Sequence, residues 1–377
     1  MKKSSKKYRW AGIIALLVVI VVIVKCFPQN KVEEKGKIIF GISPFPDTYM
    51  PYLGLLKGWY AEEGVDVEFR ILGWTEIQEA LSSGSVNKID VGINNMSSVI
   101  ATYNRNPELV YYYGFNTFDD GFALMMRPDD SLRPLSYFLS QGLDRETALQ
   151  ETGKQLKGKT VITTSNTDME QGVAALALKG GLDFLHDVRI INLNAEDGMT
   201  AFVSGEGDAY IGGIPQCNKL NQAGMQEIVT GTDLGPAPIN GFVTTRHFVE
   251  KNGDVLLKLL HVWFRIVNYT NSHLDEVATL MTTETNRYTG TAVTPEEFKA
   301  YWNHYEHYPS STKAVQEEIL NPEGQNYWRA RWNDCNYYFY TIKKVIPKPV
   351  SADDAFYMEK AHRLYIEKYG NNGRNGN

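Results

Sequence analysis

Cysteine is nearly absent: Cys26, Cys217 and Cys335 are the only three in the chain. No two are spaced as a Cys-x-x-Cys pair, which excludes cysteine-held zinc and a disulfide-stapled scaffold. An oxidising compartment would permit a Cys217–Cys335 bridge, but each reads as an isolated small hydrophobe. Histidine is also thin, seven residues from His186 onward, none beside a nucleophile motif. The chain has no Gly-x-Ser-x-Gly elbow and no phosphate-loop signature. Gly205-x-Gly207 lacks the third glycine of a dinucleotide fingerprint. His304-Tyr305-Glu306-His307 puts two imidazoles at i and i+3 on one expected helix, yet the His-Glu-x-x-His of zinc proteases is missing. These absences leave no cofactor and no metal to expect, and argue against an enzyme. There is no solenoid-period repeat either.

Long apolar runs are confined to one place. Residues 10–24 carry no charge and follow Lys2, Lys3, Lys6, Lys7 and Arg9. A basic stretch before an apolar one is an export signal or signal anchor. Its length, ~15 residues against the roughly 20 that span a bilayer, favours a cleaved signal. Against cleavage, the run is followed by Lys25-Cys26-Phe27-Pro28 rather than a small-x-small site. An uncleaved anchor over 1–36 is the reading taken, with ordinary cleavage and lipidation of Cys26 as alternatives. All three place the rest of the chain outside the cytoplasm. Removing the six basic residues of 1–25 from the net charge of −6 leaves −12 on that remainder. So acidic a body repels phosphate backbones, and nucleic acid is excluded as a partner.

What is present is alternation. Apolar runs of buried-strand type at 38–42, 65–72, 89–93, 109–115 and 122–127 are interleaved with helix-compatible segments at 50–63, 75–82 and 96–104. Thr75 is the expected N-cap of the second helix, with Gln78 completing a capping box. A loop-rich stretch, 128–158, leads to a second series: strands at 160–163, 188–193 and 209–212, helices at 168–180 and 197–203. Residues 231–240, rich in Gly and Pro, read as a hinge or crossover. Helices are expected at 255–280, 295–305 and 352–369. The expected architecture is α/β, with two mostly parallel sheets flanked by helices. The expected organisation is an anchor and linker (1–36), a first lobe begun at 37–130, a second lobe at 131–237, a return to the first lobe with extra C-terminal helices at 238–369, and a disordered tail at 370–377. In such sheets ligands bind beyond the carboxyl ends of strands.

Five segments carry a family resemblance. A strand ending Gly41-Ile42-Ser43-Pro44 leads to Leu53-Gly54-Leu55-Leu56-Lys57-Gly58-Trp59-Tyr60-Ala61-Glu62-Glu63-Gly64-Val65-Asp66-Val67. Then come Glu79-Ala80-Leu81 with Ser83-Gly84, and Ile89-Asp90-Val91-Gly92. Gln155-Leu156-Lys157-Gly158-Lys159-Thr160-Val161 and Gly205-Glu206-Gly207-Asp208-Ala209 complete the set. In this order the segments resemble the nitrate-, taurine-, aliphatic-sulfonate- and thiamine-precursor-binding group of ABC-transporter substrate-binding proteins. The resemblance runs from 37 to about 250. It implies a bilobal type 2 periplasmic-binding-protein-like clamp, monomeric, that closes on a small heteroaromatic, sulfonate or carboxylate molecule and delivers it to an ABC permease in the membrane. Residues 135–155 look inserted, and the C-terminal third is longer and more aromatic than the family pattern. Two alternatives stand beside this reading: a tethered ligand-sensing ectodomain acting with a signalling partner, and an enzyme on the same fold. For the latter, the related pyrimidine synthase uses a cysteine-rich motif absent here.

The strand-end loops nominate the ligand-binding residues. From the first lobe these are Ser43, Pro44, Phe45, Asp47, Trp74, Asn94, Asn95 and Ser97; from the second, Thr164, Ser165, Asn166, Thr167, Gly213 and Pro215. The 163–167 turn enters a helix, where free N–H groups and hydroxyls suit an anionic group; Ser165 or Thr167 acting only as helix cap is the competing reading. Phe45 and Trp74 offer faces to a planar ligand or pack in the core or hinge; Asp47 reads first as a solvated loop acid and otherwise suits an amine; Asn94, Asn95 and Ser97 can read a polar edge or shape a turn. None of these loops holds Arg or Lys, which counts against a doubly charged anion.

Overall fold

The computed structural model describes residues 37–370, apart from 83, 119, 129–131, 290 and 291. The expected anchor over 1–36 and residues 371–377 of the expected tail lie outside the described residues. Among the described residues no helix is long and apolar enough to cross a membrane.

Eleven strands among the described residues form two sheets. β1 (Ile38–Ile42), β2 (Val67–Ile71), β3 (Val91–Asn95), β4 (Leu109–Phe118), β10 (Ile239–Thr245) and β11 (Glu306–His307) make one, in the order β11-β4-β10-β3-β1-β2. β5 (Phe122–Met126), β6 (Thr160–Thr163), β7 (Arg189–Asn192), β8 (Ala209–Gly213) and β9 (Gln226–Thr230) make the other, in the order β7-β6-β8-β5-β9. The sheets are mixed rather than mostly parallel. β1 runs parallel to β2 and β3, and β6 to β7 and β8. β10 is antiparallel to β3 and β4, and β5 to β8 and β9. The physical reason is the chain's route. It leaves the first sheet at Phe118 and starts β5 only four residues later; it returns from β9 into β10. A strand arriving from the other sheet enters where the parallel strands finish, so it must run against them.

Local chemistry explains the smaller departures. The expected 50–63 helix is two pieces, Pro51–Leu56 and Trp59–Glu62, because Gly58 takes φ 73°, the left-handed region that glycine enters without steric cost. A Cβ on Gly41 in β1 would lie 2.5 Å from Ile89 Cδ1, so the missing side chain lets the β3 edge pack down on the sheet. Thr75 does not cap the Glu76–Ala80 helix: its backbone is already helical and it makes no capping bond. Instead the Glu76 carboxylate reaches back to accept from Gly73 N–H at 2.7 Å. The stretch expected as loops holds two helices, Leu135–Ser140 and Arg145–Lys154, the second capped by Asp144. Cys217 and Cys335 are buried and free.

The C-terminal third packs mainly on the six-stranded sheet. Helix Arg246–Ser272, broken at Asn252, buries Leu256, Leu259, Leu260, Trp263 and Val267. Helix Met358–Tyr369 lies on β4, where His362 Nδ1 and Tyr113 Oη are 2.8 Å apart. Three helices end in π-helical turns, Tyr301–Tyr305, Gln316–Leu320 and Tyr337–Ile342. The first explains why 304–307 is not one helix: His304 and Tyr305 finish the π turn, while Glu306 and His307 form β11.

Candidate functional site

The parallel strands of both sheets finish at the same place, and a cavity of about 640 Å³ lies there. That is the size of a small-molecule site. Its first wall comes from the loop after β1 (Pro44, Phe45, Asp47), the turn after β2 (Trp74, Glu76) and Asn95 at the end of β3. The opposite wall comes from the end of β6 and the loop after it (Thr163, Thr164, Thr167), the start of the Ala195–Val203 helix (Glu196), the end of β8 (Gly213) and the start of the Ile214–Gln222 helix (Pro215, Gln216).

Nine of the fourteen residues nominated from sequence line this cavity: Pro44, Phe45, Asp47, Trp74, Asn95, Thr164, Thr167, Gly213 and Pro215. The other five stand behind it. Ser43 is fully buried. Asn94 donates to the Trp74 carbonyl at 2.9 Å and accepts from Asn95 N–H, so it shapes the turn. Ser97 donates to Asn95 Oδ1 at 2.8 Å. Ser165 and Asn166 are bound by Glu170, whose carboxylate accepts from Ser165 Oγ at 3.1 Å and from Asn166 N–H at 2.8 Å. That last pair undercuts the anion reading of the 163–167 turn. Ser165 N–H is taken by Asn192 Oδ1 as well, and the helix supplies its own acids, Asp168 and Glu170, in its first turn. Neither Ser165 nor Thr167 caps the helix with its side chain; the Thr167 hydroxyl turns back to the Thr164 carbonyl at 2.7 Å.

Asp47 is the buried polar feature of the first wall. It is 4% exposed and accepts from Asn240 Nδ2 at 2.7 Å. Burial pushes its pKa up to about 6, against the opposing pull of its hydrogen bonds. On the opposite wall Gln216 donates through Nε2 to Glu196 at 2.8 Å, while its Oε1 accepts nothing among the described residues. The Thr163 hydroxyl, also buried, has no partner there either. Aromatic rings close the rest: Phe45 meets Trp74 edge to face at 6.3 Å, and Phe118, Tyr210, Tyr288, Phe298 and Tyr301 complete the lining.

A profile of the NMT1-like family matches residues 33–282. The chain belongs to the NMT1-like family. No curated protein sequence matches it significantly. Solved structures give the same fold at low identity. The periplasmic aliphatic sulphonate binding protein SsuA of Escherichia coli is 16% identical with a TM-score of 0.61, over 84% of this chain and 91% of that one. The periplasmic nitrate-binding protein NrtA of Synechocystis is 14% identical with a TM-score of 0.62, over 88% of each. A Candida albicans protein, CA3427, described as having the generic periplasmic binding protein fold, is 14% identical with a TM-score of 0.61, over 91% of this chain and 99% of that one. The fold is therefore that of the periplasmic binding proteins, and the resemblance read from the five segments holds.

The NMT1-like match stops at 282, so cleft residues Tyr288, Glu297, Phe298 and Tyr301 lie beyond it. So does a second polar cluster between the two sheets, on helix Trp328–Asn336. Arg331, 5% exposed, ion-pairs with Asp168, donates to Gln171 Oε1 at 3.1 Å and to Asp334 at 3.0 Å, and reaches the Pro236 carbonyl at 3.3 Å. Asp168 also accepts from Asn95 Nδ2. Lys343 ion-pairs with Glu170, and Gln171 Nε2 donates to Asp334. The helix is seated on the first half by Trp328, stacked on Phe356 at 3.7 Å, and by Trp332, whose Nε1 donates to the Val350 carbonyl at 3.0 Å. The C-terminal segment thus joins the start of the Asp168–Lys179 helix to the six-stranded half. Sequence reasoning missed this cluster, and missed Asn240 in β10, because it searched only strand-end loops; Gln216 escaped because the search beyond β8 stopped at Pro215. The signal available for Arg331 was a cation between two tryptophans, three residues before an acid.

Proposed function

We propose that this protein is the extracytoplasmic solute-binding component of an ABC-type importer, held at the membrane by its N-terminal segment. It binds one small organic molecule in the cleft between the half built on the six-stranded sheet, 37–118 with 238–369, and the half built on the five-stranded sheet, 122–237. Ligand contacts from both walls favour the closed arrangement, and the closed form docks on a membrane permease; tethering raises its local concentration there. The observation that carries this reading is the cavity of about 640 Å³ at the shared strand ends, lined by Asp47 and Asn240 from one half and by Gln216 and Thr163 from the other. The family and the fold support it, since the sulphonate- and nitrate-binding structures with this fold are periplasmic binding proteins by description. Identity of 14–16% to those proteins carries the fold to this chain and leaves their ligands with them.

The test is native mass spectrometry of the full chain, expressed for export and gently extracted, followed by small-angle scattering. A stoichiometric small-molecule adduct lost on denaturation, with a radius of gyration that rises on its removal, is the expected result. A chain with no adduct, whose scattering and melting temperature respond to no compound in a broad metabolite panel, would sink the importer reading.

A further inference from the structure

We infer that the molecule bound in this cleft is an organic cation, a protonated nitrogen carried on a flat apolar body. The inference rests on the solute-binding reading and names the class of solute. It begins with charge. Among the described residues, the cavity is lined by Asp47, Glu76, Asp168, Glu196 and Glu297 against one base, Lys219. Asp168 is neutralised by Arg331, and Glu196 lies 3.7 Å from Lys219. Glu297 is occupied as the reciprocal partner in the Thr294 capping box, and Glu76 binds Gly73 N–H. Asp47 remains: buried, on the cavity wall, hydrogen-bonded by Asn240 and with no basic group within ion-pair distance among the described residues. An anion placed here would face a net negative wall whose one base among the described residues, Lys219, sits at the exposed rim beside Glu196, at an energetic cost that grows as water is excluded.

A second observation is independent of the acids. Gln216 is 2% exposed and lines the cavity, and its Oε1 is a buried acceptor with nothing to accept from. An orphaned acceptor of this kind costs stability unless a donor arrives. Its amide orientation is set by Nε2 donating to Glu196 at 2.8 Å, so the free oxygen asks for an N–H or O–H from a ligand. Thr163, 1% exposed on the same wall, has a hydroxyl with no partner among the described residues, which can also accept. Asp47 in one wall and Gln216 with Thr163 in the other therefore place buried acceptors among the residues that line the cavity. Around them stand Phe45, Trp74, Phe118, Tyr210, Tyr288, Phe298 and Tyr301. Ring faces attract cations through their quadrupoles and pack against flat bodies. Acceptors at the polar points and rings elsewhere are what an amidinium, guanidinium or protonated amino-heterocycle requires.

The test uses four compounds of nearly one shape: benzamidinium, benzamide, benzoate and benzenesulfonate. Each is titrated by calorimetry into the full chain after ligand removal by partial unfolding and refolding, at pH 8. Benzamidinium is expected to bind at least tenfold more tightly than benzamide, and neither anion to bind at 10 mM. Asp47→Asn is expected to weaken benzamidinium at least tenfold without lowering the melting temperature, and Gln216→Leu to weaken it three- to tenfold. Benzoate or benzenesulfonate binding as tightly as benzamidinium overturns the inference, as does benzamidinium that fails to bind at 10 mM or binds Asp47→Asn unchanged. Those failures leave the importer reading standing wherever the native mass shows a co-purified ligand. A missing adduct together with silence in the metabolite panel removes that reading itself.

Discussion

Two polar clusters sit between the halves of this molecule, and they are built on opposite terms. Around Arg331 every charge is answered: Asp168 by Arg331 and Asn95, Glu170 by Lys343, Asp334 by Arg331 and Gln171. Around Asp47 the answer is incomplete: among the described residues the buried carboxylate has no base, and Gln216 Oε1 and the Thr163 hydroxyl have no partner. A saturated cluster holds two elements together and has nothing left to offer a solute. An unsaturated one is a surface prepared for something absent from the chain. The contrast separates adhesion from recognition on one junction, and it assigns adhesion to the segment beyond the family match.

The largest expected effect breaks the saturated side. Arg331→Met leaves Asp168 buried with only Asn95, and truncating one member of a buried ion pair typically costs about 3–5 kcal/mol. Urea denaturation is expected to report a loss of that size. Adding Asp168→Leu to Arg331→Met is expected to restore most of it, because the stranded charge is then gone. A single variant within about 1 kcal/mol of the parent would mean that Arg331 is solvated and joins nothing.

The alternation of apolar runs and helical stretches made eight of the eleven described strands legible, because buried strands in α/β folds are continuous hydrophobic segments bounded by turns; β9, β10 and β11 were not read from it, and β5 joins the other half from the one expected. Their direction was not legible. A run such as 122–127 reads the same whichever way it enters a sheet, and only the crossing from the other half makes β5 antiparallel to its neighbours. The cavity was readable where it is built by strand-end loops, hence Phe45, Asp47, Trp74 and Thr164. It was unreadable where a distant helix supplies the wall: Tyr288 and Tyr301 come from segments whose sequence patterns point to no site. Tyr301 in particular begins a π-helical turn, and a widened turn shifts which residue faces inward relative to the 3.6 period. Ser165 and Asn166 show the reverse failure. They occupy the loop that the rule names, but Glu170, four residues along the helix, reached them first.

The next effect in size sharpens the unsaturated side through pH. The Asp47 pKa is about 6 in the folded chain against a usual 3.8. Between those values the folded chain keeps a proton that the unfolded chain has released. The stability from this group is therefore complete below about pH 3.8 and lost as pH rises through about 6. Above that the ligand-free native state carries a buried charge with no ionic partner. Asp47→Asn keeps an acceptor for Asn240 and removes the charge, so at pH 8 it is expected to stabilise the ligand-free protein by up to about 3 kcal/mol. Near pH 3.5 variant and parent are expected to coincide. A destabilised Asp47→Asn at pH 8 would show that the carboxylate already has its counter-charge. Saturating benzamidinium is expected to invert the order at pH 8, because only the parent can pair with it.

The smallest effect concerns Lys219, the one base lining the cavity among the described residues. It is exposed, and its contact with Glu196 at 3.7 Å is a rim pair, with side chains 47% and 52% accessible. Such pairs contribute roughly 0–1 kcal/mol, so Lys219→Ala is expected to leave the melting temperature unchanged within about a degree. Its effect on recognition should have the opposite sign to that of Asp47→Asn. Removing a positive charge from the rim frees the Glu196 carboxylate to the cavity's field, so benzamidinium binding should tighten by less than threefold, and the gain should shrink as salt screens the rim. Benzenesulfonate binding that was lost in Lys219→Ala would instead make Lys219 an anion receptor, and would turn the rim against the buried wall. The two walls can thus be read by sign alone: charge removed from Asp47 weakens a cation, and charge removed from Lys219 strengthens it.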